Sequence, residues 1–179
     1  MKTRRVLNIP GHAHELTFSC YRRMPLLSRD RTRRWLIDAL EHARRKHEVM
    51  LIAYVIMPEH VHLIVKPSRA AYRMEEFARS VKQSVARRAL NWLREHEPGF
   101  LPRLAGERAA GRVRHHFWMP GGGYDRNIDQ PETLPNMLDY LHANPVRRGL
   151  VDRPCDWIWS SARFYAGEEN VLIDMDRLH

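Results

Sequence analysis

Cysteine is nearly absent from this chain. Its 179 residues include two, Cys20 and Cys155, far apart in sequence. That excludes a disulfide framework and a Cys-x-x-Cys zinc site, and a reducing cytoplasm is the simplest setting. No apolar run is long enough to cross a bilayer. The basic start, Met1-Lys2-Thr3-Arg4-Arg5-Val6-Leu7, is not followed by the apolar stretch of a secretory signal. Internal repeats and low-complexity tracts are missing too. The expectation is one soluble domain over residues 1–179, with no membrane contact.

Negative charge is in short supply. Lys and Arg number 30 against 21 Asp and Glu, a formal net charge of +9, and there are 11 histidines besides. Most of the cations are arginine, whose planar fork suits phosphate oxygens and stacks on bases. Arginine-rich helix faces are more often solvated surfaces, but the large net charge tilts the balance towards a nucleic-acid partner.

Hydrophobic periodicity divides the chain. Glu15–Tyr21 alternates as a first strand. Ser28 is placed to cap a helix that runs to about Lys46, with Trp35, Leu36, Ala39, Leu40 and Ala43 as its apolar stripe. Met50–Ile56 and His60–Val65 read as a hairpin turning through Met57-Pro58-Glu59. Tyr72 to about His96 is a long amphipathic helix that Pro98-Gly99 stops. Residues 99–112 read as an irregular loop, and Val113–Met119 as a fourth strand. Pro131-Glu132-Thr133 opens a third helix, with Asn144-Pro145 near its end and Gly149 as a C-cap. Trp157, Trp159, Phe164 and Tyr165 belong to an aromatic extension over residues 150–179 that packs on the core. The order strand, helix, strand, strand, helix, strand predicts an α+β fold. It is the ferredoxin-like (split βαβ) arrangement, an antiparallel sheet with helices on one face. The open face is then available to nucleic acid.

The densest signal lies in Ala53–Lys66. His60 and His62 are two apart on a strand, so their imidazoles share a face and Val61 takes the other. Two neutral imidazoles side by side can hold a divalent metal. Spacing alone leaves a metal site and a half-exposed histidine pair both open. A third ligand has to come from elsewhere. Tyr140 and Asn144, four apart, share a helical face. The Asn144 carbonyl is a hard oxygen ligand suited to Mg2+ or Mn2+. A tyrosine phenolate is a competent nucleophile, but taken by itself Tyr140 reads first as a core tyrosine with a satisfied hydroxyl. Pro145 disfavours helical geometry at Asn144, so this pairing requires that the helix tolerate it. Tyr124 follows Gly121-Gly122-Gly123 and reads as a loop or DNA-stacking residue rather than a second nucleophile. Glu59 is within reach of the metal or a base, but the favoured reading is a solvated turn residue. His142, two from Tyr140, points elsewhere. Tyr72, Arg73, Arg79, Lys82, Arg112, Arg114, Arg147 and Arg148 are the candidate DNA contacts, through phosphates and base stacking.

Together the segments Met57-Pro58-Glu59-His60-Val61-His62, Asp139-Tyr140-Leu141-His142-Ala143-Asn144-Pro145-Val146-Arg147-Arg148-Gly149 and Trp157-Ile158-Trp159-Ser160-Ser161-Ala162-Arg163 resemble the REP-associated tyrosine transposases. These belong to the superfamily of HUH single-tyrosine transposases of insertion sequences. The resemblance runs from Asn8-Ile9-Pro10-Gly11 nearly to the end. It implies a metal-dependent endonuclease and strand transferase on single-stranded, hairpin-bearing DNA. His60 and His62 match the HUH pair, Tyr140 the nucleophile on a C-terminal helix, and Asn144 a third polar ligand. It further implies a 5′-phosphotyrosine intermediate with no ATP or small-molecule cofactor, and a nucleoid-associated protein. Relatives occur as monomers and as dimers that exchange tyrosine helices; a monomer is expected here. Many relatives carry Ile-Glu-Leu before Asn-Pro where this chain has Leu141-His142-Ala143. Two other readings stand beside this one: a non-catalytic nucleic-acid binder on the same sheet, and a hydrolytic metal-dependent nuclease in which water attacks.

Overall fold

The computed structural model describes residues 8–109 and 112–177. Its main sheet has four antiparallel strands: β1 (Ala13–Ser19), β2 (Val49–Ile56), β3 (His60–Pro67) and β6 (Tyr124–Ile128), in the order β2-β3-β1-β6. Helices α1 (Asp30–His47) and α2 (Met74–His96) connect β1 to β2 and β3 to β6. This is the split βαβ topology that the periodicity predicts.

Alternation along the strands sorts two cores. Leu16, Phe18, Val61, Leu63 and Val65 face α1 and α2 and meet Leu36, Leu40, Phe77, Val81 and Val85. The other face carries Ala13, Ala53, Val55, Ile64 and Ile128, and meets Leu141 of α3 (Leu134–His142), with Leu134, Met137 and Leu138 alongside. The second face is therefore not open, as expected, but partly roofed by the third helix. That roof turns a flat sheet into a cleft.

The fourth strand is the main revision. Val113–Met119 does not join the sheet. Arg112–His115 (β5) pairs instead with Ala105–Ala109 (β4) in a separate hairpin, so residues 99–112 are not simply irregular. A 3-10 segment, Pro98–Leu104, precedes it. The sheet takes Tyr124–Ile128, in register Thr17 to Tyr124 and Ala13 to Ile128. Alternation there is weak, because only Ile128 of its residues is buried in a core. The chain enters β6 through Gly123, at φ +84, where a Cβ would collide with the Thr17 carbonyl oxygen; glycine is what that approach requires. Smaller shifts occur at element ends. Arg29, not Ser28, stands at the N-cap of α1, with no side-chain cap bond, and Tyr21–Arg23 is a 3-10 turn rather than the end of β1.

The C-terminal segment covers the β2 edge. Ile56 N–H donates to Trp159 O (2.8 Å), Ser161 N–H to Tyr54 O (2.9 Å), and Asp176 N–H to Leu51 O (2.9 Å). Backbone groups that an edge strand would leave unpaired are thus satisfied within the chain. Trp159, Ile173 and Met175 enter the helix-side core, with Trp157 and Phe164 packed against it.

A candidate nicking cleft

The sheet supplies the floor. His60 and His62 lie side by side on β3, ring centroids 4.7 Å apart and nearly perpendicular. Thr17, directly across in β1, brings Oγ1 to 2.8 Å from His62 Nδ1. Glu59 brings a carboxylate oxygen to 3.3 Å from His60 Nδ1. Each ring is thereby oriented through one nitrogen. Its Nε2 has no protein partner among the described residues, as in imidazoles held for metal by outer-shell hydrogen bonds. Burial, reinforced by the His60 and Arg147 charges, pushes the His62 pKa down to about 4. Burial also lowers that of His60, outweighing the opposing pull of Glu59. Both imidazoles are then neutral near pH 7, the form that ligates.

The roof supplies the rest. Helix α3 ends at His142 and a short helix, α4 (Asn144–Arg147), follows. The break lies where Pro145 lacks the N–H that would bond Leu141 O. The Asn144 side chain takes its place, Nδ2 donating to Leu141 O (3.0 Å) and to Tyr140 O (3.3 Å). Asn144 is thus held at the i+4 position despite the proline, with its carbonyl oxygen left over. Tyr140 is 63% exposed. The Arg147 guanidinium sits 3.9 Å from its ring centroid and donates to its carbonyl oxygen at 2.9 Å.

His62, Tyr140 and Asn144 line one cleft of about 560 Å³, together with Thr17, Tyr124, Asn136 and the Glu15–Arg126 ion pair. His60 is not in the cleft lining but lies against His62 on the same strand. Together with Asn144 the pair offers two neutral imidazoles and an amide oxygen, a donor set that fits a hard divalent ion with open positions for phosphate oxygens. Among the described residues no group of three His, Cys, Asp or Glu side chains is placed to hold a metal ion; a third protein ligand beside the two imidazoles would be the Asn144 amide, which lines the same cleft.

Other candidates fall away from the cleft, except Arg148, which meets the histidine pair through Glu59. The Tyr72 hydroxyl is committed to His14 Nε2 (2.7 Å) and donates to Ile9 O (2.9 Å). Arg73 is paired with Glu75 and Glu76. Arg79 and Lys82 border a groove at Gly121–Gly123, where Lys82 Nζ donates to Gly121 O at 2.7 Å. Arg114 is exposed on β5. Arg112 begins β5, and its side chain lies outside the described residues. Arg148 pairs with Glu59 at 2.8 Å. Glu59 is therefore not a solvated turn residue; its side chain is 13% exposed, between Arg148 and His60. Residue pattern did not single out Thr17 either, since only the β1–β3 register brings it to His62. His142 does point away. Its Nε2 meets Ser161 Oγ at 2.8 Å, and burial pushes its pKa down to about 4.

Comparison with known proteins decides the family. The family model "Transposase IS200 like" matches residues 10–101. The chain belongs to the IS200-like transposase family. Members of this transposase family are DNA nicking and rejoining enzymes. A Haemophilus influenzae protein provisionally named a REP-associated tyrosine transposase is 25% identical over 151 residues, 76% of each chain. A solved structure of a REP-associated tyrosine transposase bound to a REP hairpin aligns with a TM-score of 0.67 at 20% identity. That alignment covers 100% of this chain and 99% of the other, and it establishes a shared fold. Among the described residues, no helix of this transposase is long and apolar enough to cross a membrane.

Proposed function

We propose that this transposase is a metal-dependent nickase and strand transferase for single-stranded DNA bearing REP-like hairpins, with Tyr140 as nucleophile. The observation that carries the reading is the convergence of His62, Asn144 and Tyr140 on one cleft. The relatives support the hairpin substrate: one is named for REP association and the other was solved on a REP hairpin.

His60, His62 and Asn144 would hold Mg2+ or Mn2+, which when bound polarises the scissile phosphate and offsets charge on its oxygens. Tyr140 reaches that phosphate from the solvent side. Its oxygen forms a bond to phosphorus, the bond to the 3′ oxygen breaks, and the strand is left with a 5′-phosphotyrosine and a free 3′-hydroxyl. Attack by a DNA hydroxyl reverses the exchange and rejoins a strand without ATP. Arg147 and Arg148, at the end of α4 just past the tyrosine helix, would hold flanking phosphates. Two links tie α3 and the segment after it to the rest of the same chain, His142 to Ser161 of the C-terminal segment and Arg148 to Glu59 of the β2–β3 turn. They support catalysis in cis by a single-domain monomer, which a mass measurement in solution tests.

The deciding experiment incubates the protein with a labelled hairpin oligonucleotide and Mg2+ or Mn2+, followed by a denaturing gel. A covalent protein–DNA band that Tyr140→Phe abolishes is expected. Cleavage without such a band would assign the attack to water. Binding without cleavage would make the protein a binder. A band lost in Tyr124→Phe but kept in Tyr140→Phe would move the nucleophile to β6.

A further inference from the structure

A second cavity, of about 370 Å³, lies on the helix side of the sheet, away from the nicking cleft. Its volume is at the small end of the range for ligand sites, roughly 300–1,000 Å³. It opens between the start of α1, the end of α2 and the Pro98–Leu104 segment. Trp35, Trp92, Phe100 and Phe117 supply planar walls, and Arg29, Arg31 and Arg103 the charge.

Two observations set this cavity apart from an ordinary surface dimple. The first is charge without compensation. Arg33, Arg44, Arg88, Arg126, Arg148 and Arg163 all rest on carboxylates. Among the described residues, neither Arg29 nor Arg31 nor Arg103 has such a partner, although all three border one cavity. Its single acidic lining residue is Glu97. An anion is the complementary ligand. The second is planar order. Arg31 lies 3.4 Å from the Trp92 ring centroid and 5.7 Å from that of Trp35, and Arg103 lies 4.9 Å from Phe100. Trp92 is also stacked on His96, the ring planes 5° apart. A guanidinium centred over an indole ring is placed to present its other side to a base, and bases stack on arginine planes as they do on aromatic rings.

We propose that this cavity binds an unpaired nucleotide of a DNA strand. The base stacks against the Arg31–Trp92 pair and its phosphate is held by Arg29 and Arg103. The site is a second DNA anchor across the sheet from the nicking cleft. It rests on the reading of the chain as a DNA-acting enzyme but not on Tyr140 chemistry.

The test places a photoreactive 5-iododeoxyuridine at successive unpaired positions of a hairpin oligonucleotide with single-stranded flanks. After irradiation with the full-length protein, crosslinked peptides are mapped, and affinities of variants are measured by anisotropy across a salt series. A crosslink to Trp35, Trp92 or Phe100 is expected. Arg31→Ala with Arg103→Ala should weaken binding about tenfold, and flatten the salt dependence by about 0.7 for each phosphate no longer held. Arg31→Lys, which keeps charge but not the plane, should fall between. Trp92→Phe keeps an aromatic wall and guards against a folding artefact. Crosslinks confined to cleft residues, or unchanged affinity in the folded variants, would overturn the proposal. So would tighter binding of an acidic, aromatic peptide than of the oligonucleotide, which would make the cavity a protein-docking site. Thymidine 5′-monophosphate serves as a further probe. If it saturates the cavity without competing against the oligonucleotide, the site serves free nucleotides and the DNA anchor is wrong. A protein that crosslinks here yet forms no adduct at Tyr140 would keep this inference and lose the proposed nicking chemistry.

Discussion

Glu59 links the imidazole floor to the segment that follows the tyrosine helix. It accepts a bond from Arg148 at 2.8 Å and lies 3.3 Å from His60 Nδ1. A carboxylate in that position holds the ring's orientation and would raise the basicity of the opposite nitrogen towards the proposed metal. Glu59→Gln is expected to lower Mn2+ affinity about 10- to 100-fold, read by titration calorimetry on protein without DNA. Arg148→Ala should have a smaller effect, and the double variant should cost less than the product of the two. Wild-type affinity in Glu59→Gln would reduce the carboxylate to an ordinary helix tether.

Asn144 holds the helix break together and is also the proposed third metal ligand. Removing its amide leaves the Leu141 carbonyl without the donor that stands in for Pro145. Asn144→Ala should cost about 1 kcal/mol of stability, measured by denaturant unfolding. It should also lose the covalent adduct. A variant of full stability that still forms adduct would leave Asn144 with neither role.

Acid should destabilise the protein from two buried imidazoles. His142 and His62 each titrate near pH 4 when folded, against an ordinary value of 6.5. Between those values the unfolded chain binds the proton and the folded chain does not, so stability rises with pH there. The loss therefore begins as pH falls below about 6.5 and is complete near pH 4, on the order of 3 kcal/mol for each group. Unfolding free energies across pH 4–8 check this. His142→Gln, which retains a polar partner for Ser161, should make the profile shallower.

Gly123 and Gly122 should respond differently to the same change. Alanine at Gly123 meets the Thr17 carbonyl at positive φ, whereas Gly122 has open space. Gly123→Ala is expected to cost about 1–3 kcal/mol, and Gly122→Ala little. Because Tyr124 lines the cleft, the first should also slow nicking. Equal midpoints in denaturant for the two variants would contradict the close approach.

Elements with long periodic patterns were legible. The stripe Leu36, Leu40 and Ala43, and that of Phe77, Val81 and Val85, each define a buried helix face. The β2–β3 hairpin lies within a residue or two of where alternation and Pro58 put it. The fourth sheet strand was not. Val113–Met119 has the more apolar composition, but Tyr124–Ile128 wins the edge through backbone pairing with β1, a preference that side-chain pattern carries weakly. In the site, His60, His62, Tyr140 and Asn144 stood out by type and spacing. Thr17 and Glu59 did not, because their roles depend on what lies opposite them.

The amino-acid sequence alone determined a basic, cysteine-poor α+β chain with paired imidazoles on one strand face and Tyr140 and Asn144 on one helix face. These follow from local periodicity and covalent spacing, which need no knowledge of distant neighbours. Tertiary structure decided that the helix lies over the sheet face bearing the imidazoles, and that Thr17 and Glu59 set the ring orientations. It also gathered arginines without carboxylate partners around Trp92. Each of these is a meeting of residues far apart in the chain, set by strand register and by which core face buries more apolar surface, and neither is a property of any local stretch.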